Sequence, residues 1–132
     1  MESMPMSEET NSKQPVDRFI IDQMESVPHL EALLLFWRAR PRSWSLGEMS
    51  KSLYLDAGTT QGILGDLLQR GLIIQSGGPN AWEYSSGPDR DRLIEQVDRT
   101  YQSELIRISR LIHSKRSTPI QEFAKAFRFK KD

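Results

Sequence analysis

Apolar residues recur at helical spacing along most of the chain and alternate only between residues 72 and 84. The most informative stretch is 58–73. Ile63, Leu64, Leu67 and Leu68 fall at i, i+1, i+4 and i+5, which is one face of a helix over 58–70. Thr59, Thr60, Gly62, Asp66 and Gln69 take the other side. Gly71 stands where a helix needs a left-handed residue after its cap, and Arg70 suits the negative C-terminal end. Leu72, Ile73 and Ile74 have the apolar, β-branched content of a strand. The turn-rich run Gln75-Ser76-Gly77-Gly78-Pro79-Asn80 follows, and then Ala81 to Tyr84 alternate, with Trp82 and Tyr84 on one face. Strand, turn and strand predict a hairpin.

Upstream, Leu30, Leu33, Leu34 and Trp37 give one face of a helix from Val27 to Ala39, widened by Ala32, Leu35 and Phe36. So broad an apolar surface predicts cover on more than one side. Ser26 is its N-cap, Pro28 fits its first turn and Pro41 ends it. Ser45-Leu46-Gly47-Glu48 reads as a capping box: each end residue satisfies the other's backbone N–H, with Trp44 placed to staple onto Met49. That helix runs to Leu53. Tyr54-Leu55-Asp56 is a turn, and Asp56 caps the helix beyond it. Two short helices joined in this way form a helix-turn-helix pattern.

The two ends read differently. Residues 1–15 are polar and are expected to be a disordered tail, and 16–26 an arm carrying Phe19, Ile20 and Met24. Ser86-Gly87-Pro88 breaks the chain, after which neither glycine nor proline occurs up to Ser114. Leu93, Val97, Tyr101, Leu105, Ile108 and Ile112 recur every three or four residues, predicting one helix of about 37 Å. Such a helix outruns a small winged unit, so its stripe predicts a homodimer with Ile94, Val97, Tyr101, Leu105 and Ile108 at the interface. A last helix is expected after the capping box Thr118-Pro119-Ile120-Gln121. The organisation is thus a tail (1–15), an arm (16–26), a winged helix-turn-helix (27–85) and a C-terminal helical extension for dimerisation (86–132). The fold class is mainly α with a small β-hairpin wing, a long C-terminal helix and a short terminal helix.

The 132 residues carry a formal net charge of zero, which hides a gradient. Acidic residues dominate 1–26, charges balance over 27–84, and basic residues dominate 85–132. The absence of cysteine excludes disulfides, thiolate chemistry and cysteine-based zinc sites, and fits a reducing cytoplasm. No stretch approaches a membrane span. No phosphate-binding glycine loop, GxSxG nucleophile elbow or carboxylate pair with a histidine is present, so catalysis is not expected. His29 and His113 stand apart, without HxxxH or HxxE spacing, and no metal or cofactor is expected.

The order helix, capped helix, turn, helix, hairpin and long helix over Val27 to Tyr84 resembles the winged helix-turn-helix of the MarR-like and PadR-like bacterial transcriptional regulators. The resemblance implies a protein that binds double-stranded DNA as a homodimer, with the helix at 58–70 in the major groove and the wing in an adjacent groove. It makes Thr59, Thr60, Gln61 and Gln69 candidate DNA contacts, and Arg40, Arg42, Ser43 and Lys51 candidate phosphate contacts. The chain departs from that pattern in two places. MarR-like wings commonly carry an arginine, whereas Gln75 to Glu83 contains no basic residue. The helix that the resemblance makes the recognition helix has Asp66 near its exposed face and the bare pair Gly62 and Gly65. A winged-helix module that binds protein and not DNA is the alternative that these departures favour.

Overall fold

The structure, a computed structural model, describes residues 4–116, and side chains from 14 to 114. The expected last helix beyond Thr118 lies outside the described residues. In chain order the elements are α1 (Met4–Gln23), α2 (Val27–Ala39), β1 (Trp44–Ser45), α3 (Leu46–Leu53), α4 (Ala57–Gln69), β2 (Ile73–Gln75), β3 (Ala81–Tyr84), α5 (Pro88–Ser103) and α6 (Leu105–Arg116). Among the described residues no helix is long and apolar enough to cross a membrane.

α2 is the element that the others surround. The Ser26 hydroxyl accepts the His29 N–H at 3.3 Å and starts the helix. His29, Leu30, Ala32, Leu33, Leu34, Phe36 and Trp37 are all buried, so the helix is enclosed over much of its circumference. α3, α4, α5 and β3 supply the cover. The capping box of α3 is formed as expected. The Ser45 N–H donates to Glu48 Oε1 at 3.0 Å, and the Glu48 N–H donates to Ser45 Oγ at 3.1 Å.

α4 is fixed at both ends by its own sequence. The Thr59 N–H donates to the Asp56 carboxylate at 2.9 Å. At the other end the Leu72 N–H reaches Leu67 O and the Gly71 N–H reaches Leu68 O, each at 3.0 Å, with Gly71 at φ 74°. This is the Schellman arrangement, and its left-handed position strongly favours glycine.

The sheet has the order β1-β3-β2 and is antiparallel throughout. β2 and β3 are the expected hairpin, with Ile73 opposite Tyr84 and Gln75 opposite Trp82. β1 adds a short third strand in which Trp44 lies opposite Trp82. Trp82 and Tyr84 turn inward, as their alternation predicts. Tyr84 meets Trp37 edge-on with ring centroids 5.4 Å apart, and Trp44 meets Phe36 in the same way at 6.1 Å. The Tyr84 hydroxyl donates to Asp91 Oδ1 at 2.8 Å and so ties the base of the wing to α5.

Two expectations are corrected. Residues 4–23 form a single helix, where a disordered tail and an arm were expected. The long helix expected over 89–114 is divided at Glu104 into α5 and α6. The two differences share a physical origin. α1 packs on both α5 and α6 and buries Val16 and Ile20, with Met24 just past its end continuing the i, i+4, i+8 spacing. Across that contact the Arg107 guanidinium meets Asp17 at 2.9 Å. The apolar stripe that seemed to need a second subunit is thus covered largely within the chain.

Candidate nucleic-acid interface

α4 buries Ile63, Leu64 and Leu67 and leaves Gly58, Thr59, Gln61, Gly62, Gly65 and Gln69 exposed. The Gln61 and Gln69 side chains make no hydrogen bond among the described residues, so their amides are available to an outside partner. Thr59 is exposed, but its hydroxyl donates to Asp56 Oδ1 at 2.7 Å and belongs to the cap. That pair of bonds from Thr59 holds the Asp56 carboxyl below its usual range. Thr60 is a correction. Its side chain is fully enclosed and its hydroxyl donates to the Asp56 carbonyl at 2.9 Å, so it is part of the helix start and presents nothing to DNA. A Cβ added at Gly62 or Gly65 would meet nothing within 4 Å, so the bare strip on α4 faces open space.

Asp66 is a second correction. It does not project from the outer face but turns towards α2, where Oδ2 lies 2.8 Å from His29 Nε2. The hydrogen bond to His29 is the main cause holding its carboxyl below the usual range. Its charge is therefore engaged inside the chain. The Glu25 carboxylate approaches the same imidazole nitrogen at 3.4 Å. These ligand-type atoms lie within 4.8 Å of one another, so Glu25, His29 and Asp66 form a cluster that sequence reading missed. The Glu25-x-x-x-His29 spacing was the visible signal; Asp66 joins it only through the fold.

The basic candidates lie on the loop after α2 and on α3. The Arg40 guanidinium stacks 3.4 Å from the Trp37 ring centroid and donates to the Trp37 carbonyl at 2.6 Å. It lines a groove with Pro41, Ile74, Glu83 and Tyr84, at the base of the wing. Arg42 stacks over Trp44 at 4.1 Å and pairs with Glu48 at 3.2 Å, while remaining about half exposed. The Ser45 N–H and the Arg42 charge hold the Glu48 carboxyl below its usual range. Arg38 is drawn away into an ion pair with Asp98 at 2.6 Å. Ser43 and Lys51 are exposed. The wing offers Gln75, Gly77, Gly78, Pro79 and Asn80 to solvent, without a basic residue.

The residues expected at a dimer interface are mostly elsewhere. Ile94, Val97, Tyr101 and Ile108 are enclosed within the chain, and of that set only Leu105 is exposed, at 49%. Tyr101 donates to Glu31 Oε2 at 3.1 Å, and burial with the Glu31 charge pushes its phenol up to about 12. Ile106, 61% exposed, stands beside Leu105 just after the α5–α6 break.

No protein-family model and no curated protein matches this sequence. Two solved structures are similar over nearly its whole length. One is MepR, a transcription regulator of the Staphylococcus aureus multidrug efflux pump MepA, at 14% identity and a TM-score of 0.51, covering 99% of this chain and 95% of that one. The other is the multiple antibiotic-resistance repressor MarR from Listeria monocytogenes 4b F2365, at 12% identity and a TM-score of 0.50, covering 98% of this chain and 93% of that one. At these identities the likeness concerns the fold, and it takes in α1, α5 and α6 as well as the winged unit. The chain has the MarR-like winged-helix fold.

Proposed function

We propose that this chain is a non-catalytic, DNA-binding transcriptional regulator that works as a homodimer in the cytoplasm. The observation that carries the reading is the outer face of α4: a helix locked at both ends, with the Gln61 and Gln69 side chains exposed and without a hydrogen bond among the described residues. In this reading α4 enters the major groove and its glutamines contact base edges. Arg40, Arg42, Ser43 and Lys51 contact phosphates, and their weak net charge is offset by using two subunits. The cation–π stacks hold both arginine heads in place, so less side-chain freedom is lost on binding. Leu105 and Ile106 are the exposed apolar side chains that a second copy would cover. The similar solved structures are of a transcription regulator and a repressor, which agrees with this role.

One observation favours a second reading, a winged-helix module that binds another protein: the wing from Gln75 to Glu83 has no basic residue. Selection from a pool of randomised duplexes separates the two. The regulator reading predicts an enriched two-fold symmetric sequence, with preference relaxed at defined positions in Gln61→Ala and Gln69→Ala. A pool that emerges unenriched overturns it.

A further inference from the structure

We infer that Glu25, His29 and Asp66 form a binding site for a divalent transition-metal ion of the zinc class, which clamps α4 to α2 and to the link between α1 and α2. The site does not depend on whether α4 meets DNA. Its three ligands come from three parts of the chain that the fold brings together: Glu25 from the link, His29 from the first turn of α2, and Asp66 from α4.

The distances suit an ion. Zinc binds nitrogen and oxygen ligands at about 2.0–2.2 Å, which puts neighbouring ligand atoms of a tetrahedral site about 3.4 Å apart. His29 Nε2 lies 3.4 Å from Glu25 Oε1 and 2.8 Å from Asp66 Oδ2. All three ligand atoms fall within 4.8 Å of one another. Opening the His29–Asp66 contact by about half an ångström seats the ion, a shift within rotamer freedom for Asp66, whose side chain is 40% exposed.

The imidazole is already oriented for the role. His29 Nδ1 lies 2.6 Å from Ser26 Oγ, the hydroxyl that also accepts the His29 N–H at the helix cap. Without metal Nε2–H donates to Asp66; on metal binding the ring proton moves to Nδ1, where Ser26 Oγ accepts it, and the Nε2 lone pair turns to the ion. Metal-binding histidines typically have such a partner on the second nitrogen. The side chain of His29 is only 11% exposed, whereas that of Glu25 is 50% exposed, so the ion enters from the carboxylate side and water completes its coordination.

The charges agree as well. Two carboxylates converge on one imidazole nitrogen, with Arg70 as the nearby cation at 3.1 Å from Glu25 Oε2. A single imidazole N–H cannot satisfy both carboxylates equally, whereas a dication can. One imidazole and two carboxylates, without sulfur, form a donor set for zinc, cobalt, nickel, manganese or ferrous iron, and a poor one for Cu(I).

The test uses the whole chain, freed of metal with a chelator. Co²⁺ is titrated while visible absorption is followed, Zn²⁺ is added in competition, and melting is recorded with each ion. The expected result is saturable binding of one equivalent, displacement by Zn²⁺, and a melting temperature that rises with metal concentration. Glu25→Gln and Asp66→Asn, both at partly exposed positions, should each weaken binding tenfold or more while the circular dichroism stays native. His113→Ala should leave binding unchanged. The site is ruled out if no saturable binding is seen in large excess of metal, if binding survives both carboxylate substitutions, or if His113→Ala abolishes it.

Discussion

Replacing Gly62 and Gly65 with alanine tests whether the bare face of α4 exists for stability or for contact. Both positions are in the helix interior with ordinary helical φ, and an added Cβ at either meets nothing within 4 Å. No steric cost therefore opposes the gain in helix propensity, which is about 0.5–1 kcal/mol for each site. The double variant should be more stable by about 1–2 kcal/mol. For a domain of this size each kcal/mol moves the midpoint by about 4 °C, so melting should rise by about 4–8 °C. Thermal and urea unfolding followed by circular dichroism would measure it, with an unchanged m-value marking an unchanged fold. The same two methyl groups would stand between α4 and a duplex lying against it. If the face is a contact surface, affinity for DNA should fall about tenfold, or about 1.4 kcal/mol, in the stabilised protein. Stability that stays flat or falls would refute the claim of open space around the glycines. Higher stability with full DNA affinity would refute close approach at this face.

Other outcomes follow from the same structure. Arg40→Ala and Arg42→Ala should each weaken binding to all duplexes alike and lower the salt slope by about 1, measured by anisotropy at several ionic strengths. Gly71→Ala should cost about 1–2 kcal/mol in urea unfolding, because φ 74° strains any residue with a Cβ. Leu105→Glu with Ile106→Glu should give a folded monomer by sedimentation velocity, whereas Tyr101→Glu should unfold the chain, since Tyr101 is buried. Asp56, Glu48, Asp66 and Asp91 have carboxyls held below their ordinary range by hydrogen bonds, so their stabilisation is fully present above that range and is lost as pH falls through their lowered values. Melting should therefore drop as the solution is acidified, and Asp56→Asn should flatten the drop.

The parts of the fold that were legible in the sequence are those fixed by neighbours in the chain. The Ser45–Glu48 box, the Asp56 cap and the Gly71 stop each bind within a turn of themselves, and α3 and α4 formed where those signals lay. What was missed depends on distant partners. β1 exists only because Trp44 pairs with Trp82. The break at Glu104 has no glycine or proline to announce it; it lies where α5 and α6 both pack on α1, a helix hidden by its polar composition. The candidate site divides in the same way. Gln61 and Gln69 are exposed as their positions on the helix implied. Thr60 belongs by residue type to a polar face, but its hydroxyl bonds the preceding turn and the side chain is buried. Asp66 looked like an obstacle to DNA until the fold brought His29 to it from 37 residues away.

The central claim is that α4 and the arginine loop meet duplex DNA, and the most direct measurement is the anisotropy of a labelled random duplex titrated with the wild-type chain across a range of salt. The account predicts measurable binding at about 50 mM salt that weakens steeply towards about 200 mM, with a log–log slope reflecting several released counterions. No binding at the lower salt, even at high protein concentration, would contradict it.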